Sequence, residues 1–126
     1  MQKQTYDLED RLLKFAVDVM RLVEELPDNR AGNHVAGQLL RSGTSPLPNH
    51  AEAQSAESTK DFIHKFKICL KELRESHRWL RLIESVPLLP APKTQPLLQE
   101  AEELIRIFKA SVRTVERNQT DGCRNL

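Results

Sequence analysis

The stretch RSGTSPLPNHAEAQSAESTKDF, residues 41–62, decides how this chain folds. It is poor in large apolar side chains and carries Pro46 and Pro48, yet strongly helical patterns flank it on both sides. Read as a loop, it is a candidate active-site segment. Read as a linker, it divides two domains, and read as helix, it belongs to one bundle. A structureless segment of that length inside a compact helical domain is uncommon. As helix, residues 36, 40, 43, 47 and 51 share a face, and these are Ala36, Leu40, Gly43, Leu47 and Ala51. Such a seam of small residues suits close helix approach. Pro46 and Pro48 then bend the helix and free carbonyls near Ser42 and Thr44, where Ser and Thr hydroxyls can bond. The expectation is a second helix kinked or broken near Pro46 and Pro48. Two short helices joined by a turn at 43–48 are the alternative.

Upstream, Leu8, Leu12, Phe15, Val19, Leu22 and Leu26 recur at spacings of 4 and 3, the apolar stripe of a bundle helix. Asp7 is a candidate N-cap and Pro27 ends the run. The second helix starts near residues 31–33 and carries Val35, Ala36, Leu39, Leu40 and Gly43. Downstream, Ser58 and Asp61 fit a capping box, followed by Phe62, Phe66, Cys69, Leu70, Leu73, His77, Leu80 and Ile83. Pro87, Pro90 and Pro92 form a stiff connector. A last helix is expected from about Thr94, with Pro96 in its first turn and Leu97, Ala101, Leu104, Phe108, Val112 and Val115 inward. The pattern predicts one all-α domain over 1–126, an antiparallel up-and-down four-helix bundle. The ordered core is expected over 6–117, with 118–126 as a flexible tail.

Composition agrees with helix, since Leu, Glu, Lys, Arg and Ala dominate while Gly and aromatics are few. No apolar run approaches the roughly 18 residues of a membrane span. The start of the chain has no apolar leader core. Cys69 and Cys123 are unpatterned thiols, so a reduced cytoplasmic protein without disulfides is expected. The formal net charge of +1 hides an uneven distribution. Residues 1–57 hold six Lys/Arg against nine Asp/Glu, whereas residues 60–81 hold seven against three.

That basic excess is ordered. Lys60, His64, Lys67, Lys71, Arg74, Arg78 and Arg81 recur at alternating spacings of 4 and 3, which places them on one helix ridge about 30 Å long. Such a ridge suits the backbone of RNA or DNA, held by counterion release and without strong sequence reading. The competing reading is a solvated face paired with Glu72, Glu75 or acids of the first half. Arg106, Lys109, Arg113 and Arg117 could widen the patch or serve only the end of the last helix. A second apolar seam comprises Leu13, Val17 and Met20 on the first helix, with Ile68, Trp79 and Leu82 (and Val86 beyond) on the third. A helix apolar on two sides must bury the second side, so these residues are expected to form an oligomer interface.

Catalytic and metal readings find little support. There is one Asp61-x-x-His64 and no Glu-x-x-His, so the ligand set of a bundle di-metal site is missing. His50, Glu52 and Glu57 fit no common zinc spacing. His77 reads as a satisfied core or interface histidine. Ser42, Thr44 and Ser45 near His50 lack a strained elbow and an orienting acid. No phosphate loop or dinucleotide fingerprint occurs. No enzyme activity, metal or cofactor is expected.

YDLEDR at the start, LLRSGTS followed by Asn49, Glu52 and Ala53, and above all DFIHKFKICLKELRESHRWL resemble one bacterial family. It is the four-helix-bundle family encoded in intervening sequences of 23S ribosomal RNA genes. The resemblance covers about residues 6–117 and is most specific over 58–80. It implies an up-and-down bundle assembled as a ring, commonly a pentamer, with no established enzymatic activity. It also implies similarity to the accessory protein of diversity-generating retroelements, which binds nucleic acid and a reverse transcriptase. Pro46 and Pro48 depart from the Ile-Gly-Ala usual there. The resulting expectation is a cytoplasmic homo-oligomer that binds nucleic acid through the basic ridge. A protein-interaction scaffold is the alternative, and a small-molecule or metal site in the bundle or ring lumen is a third reading.

Overall fold

A computed structural model describes the backbone of residues 2–124 and the side chains of residues 8–119. Helix α1 spans Gln2–Glu24, α2 Arg30–Thr44, α3 Pro46–Gln54, α4 Thr59–Ser85 and α5 Ala91–Arg124. Among the described residues there is no strand. Only Ser45 separates α2 from α3, and its backbone stays in the right-handed helical region at φ −60°, ψ −38°. The two therefore act as one arm, and the whole is consistent with a four-helix bundle.

The 3-and-4 spacings become the core. Leu12, Phe15, Val19 and Leu22 of α1 meet Phe66, Leu73, Leu80 and Ile83 of α4 and Leu97, Ala101, Leu104 and Phe108 of α5, all buried. Burying one such Leu or Phe contributes about 1.5–3 kcal/mol before entropy is charged. The caps follow the same logic. Asn29 accepts from the Gly32 amide at 2.8 Å at the head of α2, and Ser58 accepts from the Asp61 amide at 3.0 Å at the head of α4. The expected cap Asp7 lies outside the described side chains.

The opening stretch is helical as far as Gln54 and again from Thr59, with a buried face that differs from the expected seam. Val35, Leu39, Ser42, Gly43, Pro46, His50 and Ala53 point inward. Leu40 and Ala51 are exposed and Ala36 and Leu47 only half-buried, so that seam was placed one position too far round the helix. Gly43 does serve close approach, since a Cβ there would lie 2.8 Å from both methyls of Val19. The hydroxyls also act differently from expectation. Thr44 Oγ1 donates to the Leu40 carbonyl at 2.7 Å and not to the Ser42 or Thr44 carbonyl that Pro46 and Pro48 cannot serve. Ser42 instead turns inward, where its hydroxyl lies 2.8 Å from that of Ser76.

Helix α5 begins at Ala91, earlier than Thr94. Pro96 therefore sits in the second turn, where it denies a bond to the carbonyl of Pro92. Both prolines are exposed, so water can satisfy that carbonyl. Thr94 is no cap. It is buried, with Oγ1 3.1 Å from Glu84 Oε2. The connector before α5 contains a cis Val86–Pro87 bond. At its far end α5 runs to Arg124.

Candidate nucleic-acid interface

Helix α4 turns Ile63, Phe66, Cys69, Leu73, Leu80 and Ile83 into the core, and the same period carries the basic residues outward. Lys60, His64, Lys67, Lys71, Arg74, Arg78 and Arg81 are all exposed. Among the described residues, the ridge makes one ion pair, Lys67 Nζ to Glu116 Oε2 at 3.1 Å. Glu72 and Glu75 of α4 do not pair with it. Glu72 accepts from Arg41 Nη1 at 2.9 Å, and Glu75 pairs with Arg41 Nη2 while accepting from Trp79 Nε1 at 3.0 Å. Arg41 thus holds both carboxylates on the flank facing α2. Lys65, off the ridge, pairs with Glu52 at 2.7 Å, a hydrogen bond that raises its pKa.

The other flank of α4 meets α5. Lys67–Glu116 and His77 Nε2–Glu102 Oε2, at 3.0 Å, set their register. Lys109 falls midway between Glu102 and Glu116 on the same side of α5 and is exposed. Arg106, Arg113 and Arg117 are exposed too, so two neighbouring helices present cations, interrupted by the two pairing glutamates. His77 is half-buried, its ring satisfied by Glu102.

The second apolar seam divides. Leu13 is 49% exposed, Met20 52% and Leu82 42%, whereas Val17, Ile68 and Trp79 are half-buried. Trp79 is partly used within the chain, through Glu75 and an edge contact with His34 at 5.8 Å between ring centroids. Met20, Val17 and Leu40 line a shallow apolar groove between α1 and α2. Leu82 and Val86 form a separate patch near the end of α4.

The candidate nucleophiles do not assemble into a site. Ser42 is buried against Ser76, and His50 lies in the core of α3. Burial pushes the Cys69 thiol up to about 12, so it stays protonated. Among the described residues no group of three or more His, Cys, Asp or Glu could hold a metal ion. The burial of His50 escaped the sequence reading, although Leu39, Gly43, Pro46, His50 and Ala53 repeat at 4 and 3 straight across the prolines. The charge sink at Arg41 had no local signal at all.

The fold and its surface define a helical-bundle protein with a cationic ridge, and no described helix is long and apolar enough to cross a membrane. The profile of the 23S rRNA-intervening sequence protein family matches residues 5–110, and the chain belongs to that family. A crystal structure of a protein with unknown function from the S23 ribosomal protein family of Bacteroides thetaiotaomicron VPI-5482 is similar. It is 30% identical with a TM-score of 0.78, covering 83% of this chain and 97% of that one. No curated protein matches.

Proposed function

We propose that this protein is a non-enzymatic, homo-oligomeric bundle that binds RNA or DNA backbones through the α4 ridge. One observation carries the reading. The ridge residues are exposed while Glu72 and Glu75 of the same helix are drawn away by Arg41. Surface cations in a row, here with Lys67 alone in an ion pair among the described residues, favour a polyanion because binding releases its condensed counterions. Lys60, Lys67, Lys71, Arg74, Arg78 and Arg81 make the phosphate contacts, and Lys109 and Arg113 extend them. The reading takes the protein to be cytoplasmic. It also takes the helices as antiparallel and up-and-down, with the second arm broken at Ser45. Arg11–Glu100 and Lys93–Glu25 support that direction between α1 and α5, as Lys67–Glu116 and His77–Glu102 do between α4 and α5.

Changing Lys71, Arg74 and Arg78 together to Glu tests the binding. Gel shift with mixed RNA and DNA should show at least a tenfold loss, with unchanged helicity by circular dichroism. Retained affinity in the folded triple variant contradicts the reading. A second reading, a protein-interaction scaffold, draws on the exposed Leu13, Met20 and Leu40. It predicts no nucleic-acid shift at low salt. A protein partner such as a reverse transcriptase, implied by the family resemblance, would then dock on that apolar surface.

A further inference from the structure

The exposed cations stand in two rows on neighbouring helices. The first is the α4 ridge, carried on a helix of 27 residues that contains neither Pro nor Gly. It is therefore a stiff rod, about 30 Å from Lys60 to Arg81. The second row lies on α5, where Arg106, Arg113 and Arg117 follow one stripe and are all exposed. Between the rows runs a seam that carries carboxylates. Glu116 meets Lys67 at 3.1 Å and Glu102 meets His77 at 3.0 Å, with the two Glu side chains 47% and 52% exposed. Lys109 lies between these glutamates on the same side of α5.

This arrangement distinguishes one strand from two. A single strand that used both rows would have to cross the seam, where its phosphates meet Glu102 and Glu116. Kept to one row, it reaches only the cations of that row. A duplex offers two rows of phosphates with a groove between them, and the floor of a groove carries no phosphate. Helices packed side by side lie about 8–10 Å apart. That separation falls between the minor groove of B-form DNA, about 6 Å wide, and the major groove, about 12 Å. The reach of Arg and Lys side chains makes up the difference. The ridge is also close in length to one duplex turn, about 34 Å.

A single strand is held mainly by bases stacked on exposed aromatic rings. Among the described residues no Phe or Trp is exposed. Phe62 stacks on Phe66 at 4.4 Å between centroids. Trp79 is turned toward the α2 flank, held by Glu75 and in edge contact with His34. His64 is the one ring on the ridge. We propose, resting on the ridge reading above, that this face takes double-stranded nucleic acid. One phosphate row lies on α4 and the other on α5, with the seam beneath a groove. Contacts of this kind fix position on the backbone and read no sequence.

Fluorescence anisotropy with the full chain compares an unstructured DNA strand of about 20 nucleotides, two duplex turns, with the same strand annealed to its complement. The duplex should bind at least tenfold more tightly, and RNA strands should give the same preference. Its log–log salt slope should be about −6 to −8, against about −3 to −4 for the single strand. Arg106→Glu with Arg113→Glu should bring the duplex down to the affinity of the single strand, with helicity retained. A single strand bound as tightly as its duplex, in DNA or RNA, would overturn the proposal and leave the ridge reading standing. A preference for duplex kept by the folded α5 variant would do the same. Binding of both forms undiminished by Lys71→Glu, Arg74→Glu and Arg78→Glu together would overturn the ridge reading, and this proposal with it.

Discussion

Gly43 and Gly37 sit six residues apart on different faces of one helix and obey opposite rules. A Cβ at Gly43 would lie 2.8 Å from two methyls of Val19, a fully buried, stiff, β-branched side chain. A Cβ at Gly37 would meet nothing within 4 Å. Gly37→Ala should therefore stabilise the fold by about 0.5–1 kcal/mol through backbone entropy. Gly43→Ala should destabilise it by about 1 kcal/mol net, overpacking outweighing that gain. Urea unfolding of both variants checks this, and equal gains would remove the close approach from the account. His50 gives a pH test. Its folded pKa lies below the ordinary value, so the unfolded chain takes the proton first as pH falls. The stability tied to the neutral ring is present above about pH 6.5 and is lost as pH falls through the folded value. His50→Phe should lose less stability than the parent between pH 7 and 5, as read by thermal melts. At this scale the sequence was least legible. The neighbours of His50, Thr94 and Arg41 come from other helices, and one-dimensional spacing does not contain them.

Among the elements, α4 was the most legible, because its cap, core face and basic ridge follow from a single period. The Ser58–Asp61 bond forms as its spacing predicts. Ser58→Ala should cost about 1 kcal/mol in chemical denaturation, the usual worth of an N-cap. Changing Lys71, Arg74 and Arg78 to Glu should instead shift Tm by no more than a few degrees, since these residues are exposed and make no ion pair among the described residues. A large loss of Tm would mean that the ridge is structural. Helices α2 and α3 were legible as helix but not as faces. The expected seam followed the small residues, whereas burial follows Leu39, Gly43, Pro46 and His50. The prolines did not shift that register, because Ser45 keeps helical backbone angles between the two helices. The start of α5 was misread because Pro96 was assigned to a first turn, and an exposed proline is tolerated one turn later.

At the scale of the whole molecule, all-helical architecture and family membership were both legible, since the 3-and-4 stripes and the segment over 58–80 are long and specific. How the surfaces are used is less so. Leu13 and Met20 on α1 and Leu82 on α4 stay exposed on a single chain, which supports association. Leu13→Glu with Met20→Glu should yield monomers in sedimentation velocity where the parent is an oligomer. A parent that sediments as a monomer removes the assembly from the account. The central claim concerns the ridge, and salt addresses it most directly. The affinity of the full chain for a single-stranded RNA should fall with a log–log slope of about −3 to −4, the mark of about five neutralised phosphates. The variant with Glu at 71, 74 and 78 should show a slope near zero at whatever binding remains. A flat salt dependence for the parent, or the same slope for the variant, would contradict the claim.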